Sequence, residues 1–238
     1  MIIDLNFFIE THSFLKDVAK EYLLPNLGNL EKNQVSEKSD HSLVTDFDVI
    51  IEKDLIQYFK EKGFVNIISE ENNSDLIKYN HYLTLDPIDG TRNFINGINK
   101  VVIMVSFIND NKSIFSIIYD PVNNNFYHSF ENKIFKNHKL ISAKKYNHHI
   151  GFLGSQAKEF FKNEISNYIE KKRSRSIGYD VIEILEGNRT FITLYGSKIW
   201  DLFPAMSFLE NLNFNSNLKT FDFDFNILNK KIIFYAKI

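Results

Sequence analysis

The chain is 238 residues long, 44% hydrophobic and 15% aromatic, enough to bury a sizeable core in one domain or two closely packed lobes. A net charge of −2 with dispersed lysines and arginines gives no electrostatic footprint for a nucleic-acid polymer or an anionic membrane. The absence of cysteine excludes disulfides, thiolate metal sites and a cysteine nucleophile.

In chain order, residues 2–24 carry Phe7, Phe8, Leu15, Val18, Tyr22 and Leu23 at helical spacing, ended by Pro25 and Gly28. Asp4 and Glu10 within this stretch argue against a secretion signal, and no apolar run reaches membrane-spanning length, so a cytoplasmic protein is expected. The polar stretch 28–42 reads as a loop. Thr45 is placed to cap a second helix whose Ile51, Leu55 and Phe59 share a face before Gly63 stops it. Strands are predicted at 65–69, 81–85, 101–109, 113–120 and 125–129, with Asn109 to Lys112 and Asn123–Asn124 supplying turns of an antiparallel meander. From Ile150 the pattern becomes strand, helix over about 156–171, strand, helix over about 179–186, strand, and a last helix opening near Asp201. The fold class is α+β, with an N-terminal lobe over 1–145 carrying a metal site and a C-terminal lobe over 146–238 closing it. The run Lys171 to Arg175 reads as a solvated helix C-terminus, with contact to a substrate phosphate as the alternative.

The chemistry centres on Asp86 Pro87 Ile88 Asp89 Gly90 Thr91, directly after the apolar run Tyr82 to Leu85. Proline fixes one φ and glycine frees the next turn, so both carboxylates can aim at one hard cation. Thr91 then offers a hydroxyl and an N–H at the start of a helical turn, where an anion such as phosphate is favoured. The seven histidines form no HxxxH or HExxH pair, and no P-loop, dinucleotide or serine-hydrolase motif occurs.

Three further segments stand in order around this one: Val44 Thr45 Asp46 Phe47 Asp48, then Ile67 Ile68 Ser69 Glu70 Glu71, and finally Trp200 Asp201 Leu202 Phe203 Pro204 Ala205. Together with Asp86 to Phe94 they resemble the inositol monophosphatase family of magnesium-dependent sugar phosphatases, over about residues 35–210. The resemblance implies a layered α-β-α-β-α sandwich of two intimately packed lobes, a homodimer, lithium sensitivity and two or three Mg²⁺ per site. It assigns Glu70, Asp86 and the Ile88 carbonyl to a first metal, and Asp86, Asp89 and Asp201 to a second. Asp48 would orient Thr91, while Thr91 and Glu70 would position the attacking water and the N–H groups of Gly90 and Thr91 would cradle the phosphate. Carboxylates with one carbonyl form a donor set that suits Mg²⁺, and paired Mg²⁺ ions can neutralise a transferring phosphoryl group, activate water and stabilise the leaving oxygen. Glu71 reads as a support to those ligands or as a surface glutamate, Asp46 as a solvated first-turn acid, and Trp200 as a packing residue beside Asp201.

Three positions depart from the family pattern. Ser69 replaces the usual glycine before the glutamate pair, Leu194 falls where many sugar-specific members carry a hydroxyl-binding glutamate, and Asn211 Leu212 Asn213 replaces a double glycine. The expected function is Mg²⁺-dependent hydrolysis of a small polyol or sugar phosphate. The alternatives are a 3′(2′),5′-bisphosphate nucleotidase or a histidinol-phosphatase, and a metal-binding relative without turnover. Asp89→Asn is expected to abolish activity and leave the fold unchanged.

Overall fold

The computed structural model describes residues 2–72, 79–142, 144, 149–153, 161, 163, 169–195, 197–218 and 233–237. Helix α1 (Leu5–Val18) is capped by the Asp4 carboxylate on the Phe7 N–H and runs through a π turn at Ala19–Leu23 into a final turn, α2 (Leu24–Asn26). A short hairpin of β1 (Val35–Glu37) and β2 (Leu43–Thr45) occupies part of the segment read as loop. Helix α3 (Asp46–Glu61) then opens on a reciprocal capping box between Thr45 and Asp48.

Seven strands follow in one sheet: β3 (Ile67–Ser69), β4 (His81–Asp89), β5 (Val102–Asn109), β6 (Lys112–Asp120), β7 (Asn125–Phe130), β8 (Lys133–Lys136) and β9 (Lys139–Ile141). Only the β3–β4 pair is parallel; the rest is the expected meander, extended by two strands. The short helix α4 (Thr91–Ile95) leaves the end of β4.

A second sheet has the order β11-β10-β12-β14-β13, built from β10 (Ile150–Phe152), β11 (Ile169–Lys171), β12 (Phe191–Tyr195), β13 (Asn215–Ser216) and β14 (Ile233–Lys237). Helices α5 (Ile177–Leu185) and α6 (Ile199–Asn211) carry its remaining described chain.

Strand alternation explains the layering. Leu83, Leu85, Ile103, Val105, Phe115 and Ile117 face one way and pack with Phe8, Leu15, Ile51, Leu55 and Phe59 of α1 and α3. Tyr82, Val102, Met104, Ile118 and Tyr127 face the other way, onto α5 and α6, which in turn meet Phe152, Ile192 and Leu194 of the second sheet. The order is thus helices, sheet, helices, sheet, an α+β sandwich. The helix expected over about 156–171 falls mostly outside the described residues, but its last three positions, Ile169–Lys171, are strand β11, parallel to β10. No helix among the described residues is long and apolar enough to cross a membrane.

The basic run is corrected accordingly. It is a strand end and a loop leading into α5, with Arg173 paired to the buried Asp180 at 3.0 Å rather than ending a helix. Asn213 carries φ +60° after α6, taking the left-handed conformation that glycine commonly supplies at such an end.

Candidate metal and phosphate site

Asp86 lies on the same face of β4 as Tyr82 and Thr84, toward α6. Three residues on, Asp89 should point to the opposite face, but the ladder register shifts between them. Asp86 pairs with Met104 and Asp89 with Val102, so three steps on β4 match two on β5. This one-residue bulge, at Pro87–Ile88, returns Asp89 to the α6 side and turns the Ile88 side chain into the core beneath α1 and α3. Asp201, in the first turn of α6, completes the group. One carboxylate oxygen from each of Asp86, Asp89 and Asp201 lies within 4.8 Å of the others.

The electrostatics follow from that convergence. Burial raises the proton affinity of Asp86, and the charges of Glu70, Asp89 and Asp201 raise it further. Asp201 is pushed up in the same way, by burial and then by Asp89 and Glu70, and it hydrogen-bonds Asp86. Three oxygen-donor carboxylates that repel one another in a largely buried setting form a set that a hard divalent cation would relieve. The donors therefore fit Mg²⁺ in type and placement.

Asp89 is held by a feature that the sequence reading missed. Its Oδ1 accepts the Ile177 N–H at 3.1 Å, and its Oδ2 accepts the Ser176 hydroxyl at 2.8 Å and the Gly178 N–H at 2.6 Å. The first turn of α5 thus grips the carboxylate from 87 to 89 positions further along the chain. Both lone pairs of Oδ2 are used, leaving one on Oδ1 for a cation. Gly178 is required by space, because a Cβ there would come within 2.6 Å of Val102 Cγ2 and 2.8 Å of Met104 Sδ. Asn93 adds a second tie, donating to the Lys100 carbonyl at 2.8 Å and the Ser174 carbonyl at 2.9 Å.

Thr91 and Asp48 meet, with Thr91 Oγ1 3.3 Å from Asp48 Oδ1 and 3.2 Å from the Ile88 carbonyl oxygen. Asp48 is fully buried, and its Oδ2 already accepts the Thr45 N–H at 2.7 Å and the Thr45 hydroxyl at 2.5 Å. Burial pushes its carboxyl up to about 7 despite these hydrogen bonds. Gly90, at φ +102°, opens α4, so the Gly90 and Thr91 N–H groups stand where a helix start has no intrahelical acceptors. A Cβ at Gly90 would also meet the Lys100 carbonyl oxygen at 2.8 Å.

Glu70 stands outside the tight trio. It follows β3, donates its N–H to Leu85, and its carboxylate lies 3.3 Å from the Lys38 ammonium. Lys38 also meets Glu71 at 2.6 Å, so Glu71 is a partner of a lysine on the β1–β2 hairpin, and its N–H donates to Glu52 at 2.8 Å. Neither Lys38 nor Glu52 was singled out from sequence; Glu52 is buried and burial pushes it up to about 7. Ser69 sits in regular strand pairing with Leu85, so the missing glycine leaves the backbone of β3 undisturbed. Leu194 is wholly buried in the core, Asp46 is exposed, and Trp200 packs in the core beside Asp201.

The sequence pattern of the inositol monophosphatase family matches residues 4–211. A fructose-1,6-bisphosphatase/inositol-1-monophosphatase of Methanocaldococcus jannaschii is 32% identical over 142 residues, covering 56% of this chain and 54% of that one. The 3′(2′),5′-bisphosphate nucleotidase CysQ of Buchnera aphidicola is 32% identical over 120 residues, covering 48% and 44%. These alignments thus span about half the length of the curated relatives. An IMPase of Thermotoga maritima superposes with a TM-score of 0.79 over 98% of this chain and 92% of its own, at 16% identity, a likeness of fold.

Proposed function

The chain belongs to the inositol monophosphatase family, and from that premise we propose that it hydrolyses a small polyol or sugar phosphate with Mg²⁺ as cofactor. The observation that carries the reading is the convergence of Asp86, Asp89 and Asp201 at the end of β4. In this reading Glu70, Asp86 and the Ile88 carbonyl hold one ion, and Asp86, Asp89 and Asp201 another. When bound, Mg²⁺ supplies charge neutralisation for the phosphoryl group and lowers the pKa of water.

The protein's own groups do the rest. The Gly90 and Thr91 N–H groups at the start of α4 bind phosphate oxygens and orient the ester for in-line attack. Asp48 Oδ1 accepts the Thr91 proton, which turns a lone pair of Thr91 Oγ1 outward to accept a hydrogen bond from the attacking water. The Thr45 bonds to Asp48 Oδ2 fix that carboxylate, so the relay is preorganised rather than assembled on binding. Glu70 accepts the other proton of the same water. The grip of α5 on Asp89 keeps the two lobes in register around the reacting phosphate.

A nucleotide bisphosphate is the second reading, favoured by one observation: Leu194 is committed to the core, so no hydroxyl-binding carboxylate stands at that position. The experiment is phosphate release at saturating Mg²⁺ from inositol 1-phosphate, histidinol phosphate, fructose 1,6-bisphosphate and adenosine 3′,5′-bisphosphate. Highest kcat/KM on a polyol or sugar phosphate supports the first reading. Preference for the adenosine bisphosphate supports the second, and silence on all four removes both.

A further inference from the structure

Asp180 lies outside the carboxylate cluster, yet it is 0% exposed in the first turn of α5. Both its oxygens reach back along the chain. Oδ1 accepts the Ser174 N–H at 2.9 Å, and Oδ2 accepts the Arg173 Nε–H at 3.0 Å. A solvated acid would gain as much from the helix dipole, so the cost of burying this one is offset by what it holds.

The loop it holds is the one that grips Asp89. Every hydrogen-bonding group of Ser174 is engaged: its N–H by Asp180, its carbonyl by Asn93 at 2.9 Å, and its Oγ by the Ser176 carbonyl at 2.7 Å and the Ser176 N–H at 3.2 Å. Ser176 then gives its hydroxyl to Asp89 Oδ2 at 2.8 Å and accepts the Tyr179 N–H at 3.1 Å, which opens α5. The next two N–H groups, of Ile177 and Gly178, fall on the same carboxylate. Between the two serines Arg175 is bent to φ +71°, a left-handed conformation that a non-glycine residue keeps only where its neighbours hold it. The holds are Asp180 and Asn93 on the Ser174 side and Asp89 on the Ser176 side.

We propose that Asp180 is a positioning residue for the Asp89 ligand. By pinning the Ser174 N–H it keeps Arg175 in its bend and the Ser176–Gly178 donors in register with Asp89, so the free lone pair of Oδ1 stays aimed at the cation site. Arg173 supports this by balancing the buried charge of Asp180, so the pin adds no net charge beside the three carboxylates. The proposal rests on the reading of Asp89 as a Mg²⁺ ligand.

The test is isothermal titration calorimetry of the full chain with Mg²⁺, beside thermal unfolding in EDTA. Asp180→Ala frees the Ser174 N–H and should weaken Mg²⁺ binding about tenfold, the net value of one hydrogen bond to a charged group. Asp180→Asn should weaken it about fivefold, because the charged Arg173 claims the one amide oxygen and leaves the Ser174 N–H unpaired. Adding Arg173→Gln to Asp180→Asn should restore affinity to within about twofold of wild type: the introduced amide N–H donates to the glutamine oxygen, and the amide oxygen returns to Ser174. Melting in EDTA shows which variants fold, and Asp180→Asn with its rescue carries the test if Asp180→Ala does not. Unchanged or tighter Mg²⁺ binding by the folded variants, with only the melting temperature lowered, makes Asp180 a stability residue and overturns the proposal. So does a failure of Arg173→Gln to restore binding. A wild type that binds no Mg²⁺ would instead remove the ligand reading of Asp89, and the proposal with it.

Discussion

Asp89→Asn separates the two duties of one carboxylate. In the proposed role of metal ligand it loses a charge, and phosphate release should fall to background. As a structural acceptor it loses more than sequence reasoning allowed. Asp89 takes three hydrogen bonds from Ser176, Ile177 and Gly178, and an amide nitrogen cannot accept any of them. The least costly placement keeps the amide oxygen at the Oδ2 position and turns the nitrogen toward the Ile177 N–H. That leaves one buried N–H unpaired, costing about 1–3 kcal/mol. It also weakens two charge-assisted bonds to neutral ones, by about 0.5–1 kcal/mol each. The sum is about 2–5 kcal/mol, or roughly 4–20 °C in Tm for a chain of this size. Without metal the lost charge also relieves Asp201, which Asp89 repels, so the deficit should shrink. Thermal unfolding of both proteins in saturating Mg²⁺ and in EDTA checks this. Equal Tm values in Mg²⁺, or a larger deficit in EDTA, would refute the dual role.

Other expectations are as direct. Burial raises Glu186, yet Lys136, Tyr127 and Lys144 outweigh it and hold the carboxyl down to about 2. Its contribution is therefore present above the unfolded value near 4.5 and lost as pH falls toward 2; after solvent screening Glu186→Gln should cost about 1–2 kcal/mol at pH 7 and much less at pH 3, read by urea unfolding. His128, stacked between Phe8 and Phe135, is lowered to about 3 by burial and then by His138 and His12. Stability should fall as pH drops below 6.5, by about 2 kcal/mol at pH 5 from this residue, and His128→Phe should flatten the Tm profile between pH 5 and 7.5. Arg175 carries φ +71°, so Arg175→Gly should raise stability by up to about 1 kcal/mol as left-handed strain is relieved, visible as a small rise in Tm. Lys38→Met frees Glu70 of its ammonium partner and should lower the half-saturating Mg²⁺ concentration about threefold to tenfold, by magnesium titration of activity, whereas a rise would contradict competition between lysine and metal.

What the sequence made legible was local. The Asp86–Thr91 turn, the Thr45 N-cap and the early strands announce themselves through proline, glycine, a capping residue and period-two hydrophobicity. Strands β8 and β9 were missed because their turns are Glu131–Asn132 and Asn137–His138, all at positive φ, and glutamate and histidine are unusual there. The bulge that brings Asp86 and Asp89 to one face is a counting property of two strands and becomes visible only with the register in hand. The α5 grip joins Asp89 to Ser176–Gly178 across 87 to 89 positions, two of its three donors being backbone N–H groups that no side-chain pattern announces. Lys38 was hidden in the same way, since a lysine in a polar stretch reads as solvated until Glu70 and Glu71 are seen beside it.

The central claim is that the carboxylate cluster makes phosphate-ester hydrolysis depend on a divalent cation. Its most direct test is the rate of phosphate release from the best substrate as Mg²⁺ is titrated from chelated to saturating, for wild type and Asp201→Asn side by side. Release that is absent in chelator, rises saturably with Mg²⁺ and is lost in Asp201→Asn is the predicted result; release that persists in chelator, or survives in Asp201→Asn, would contradict it.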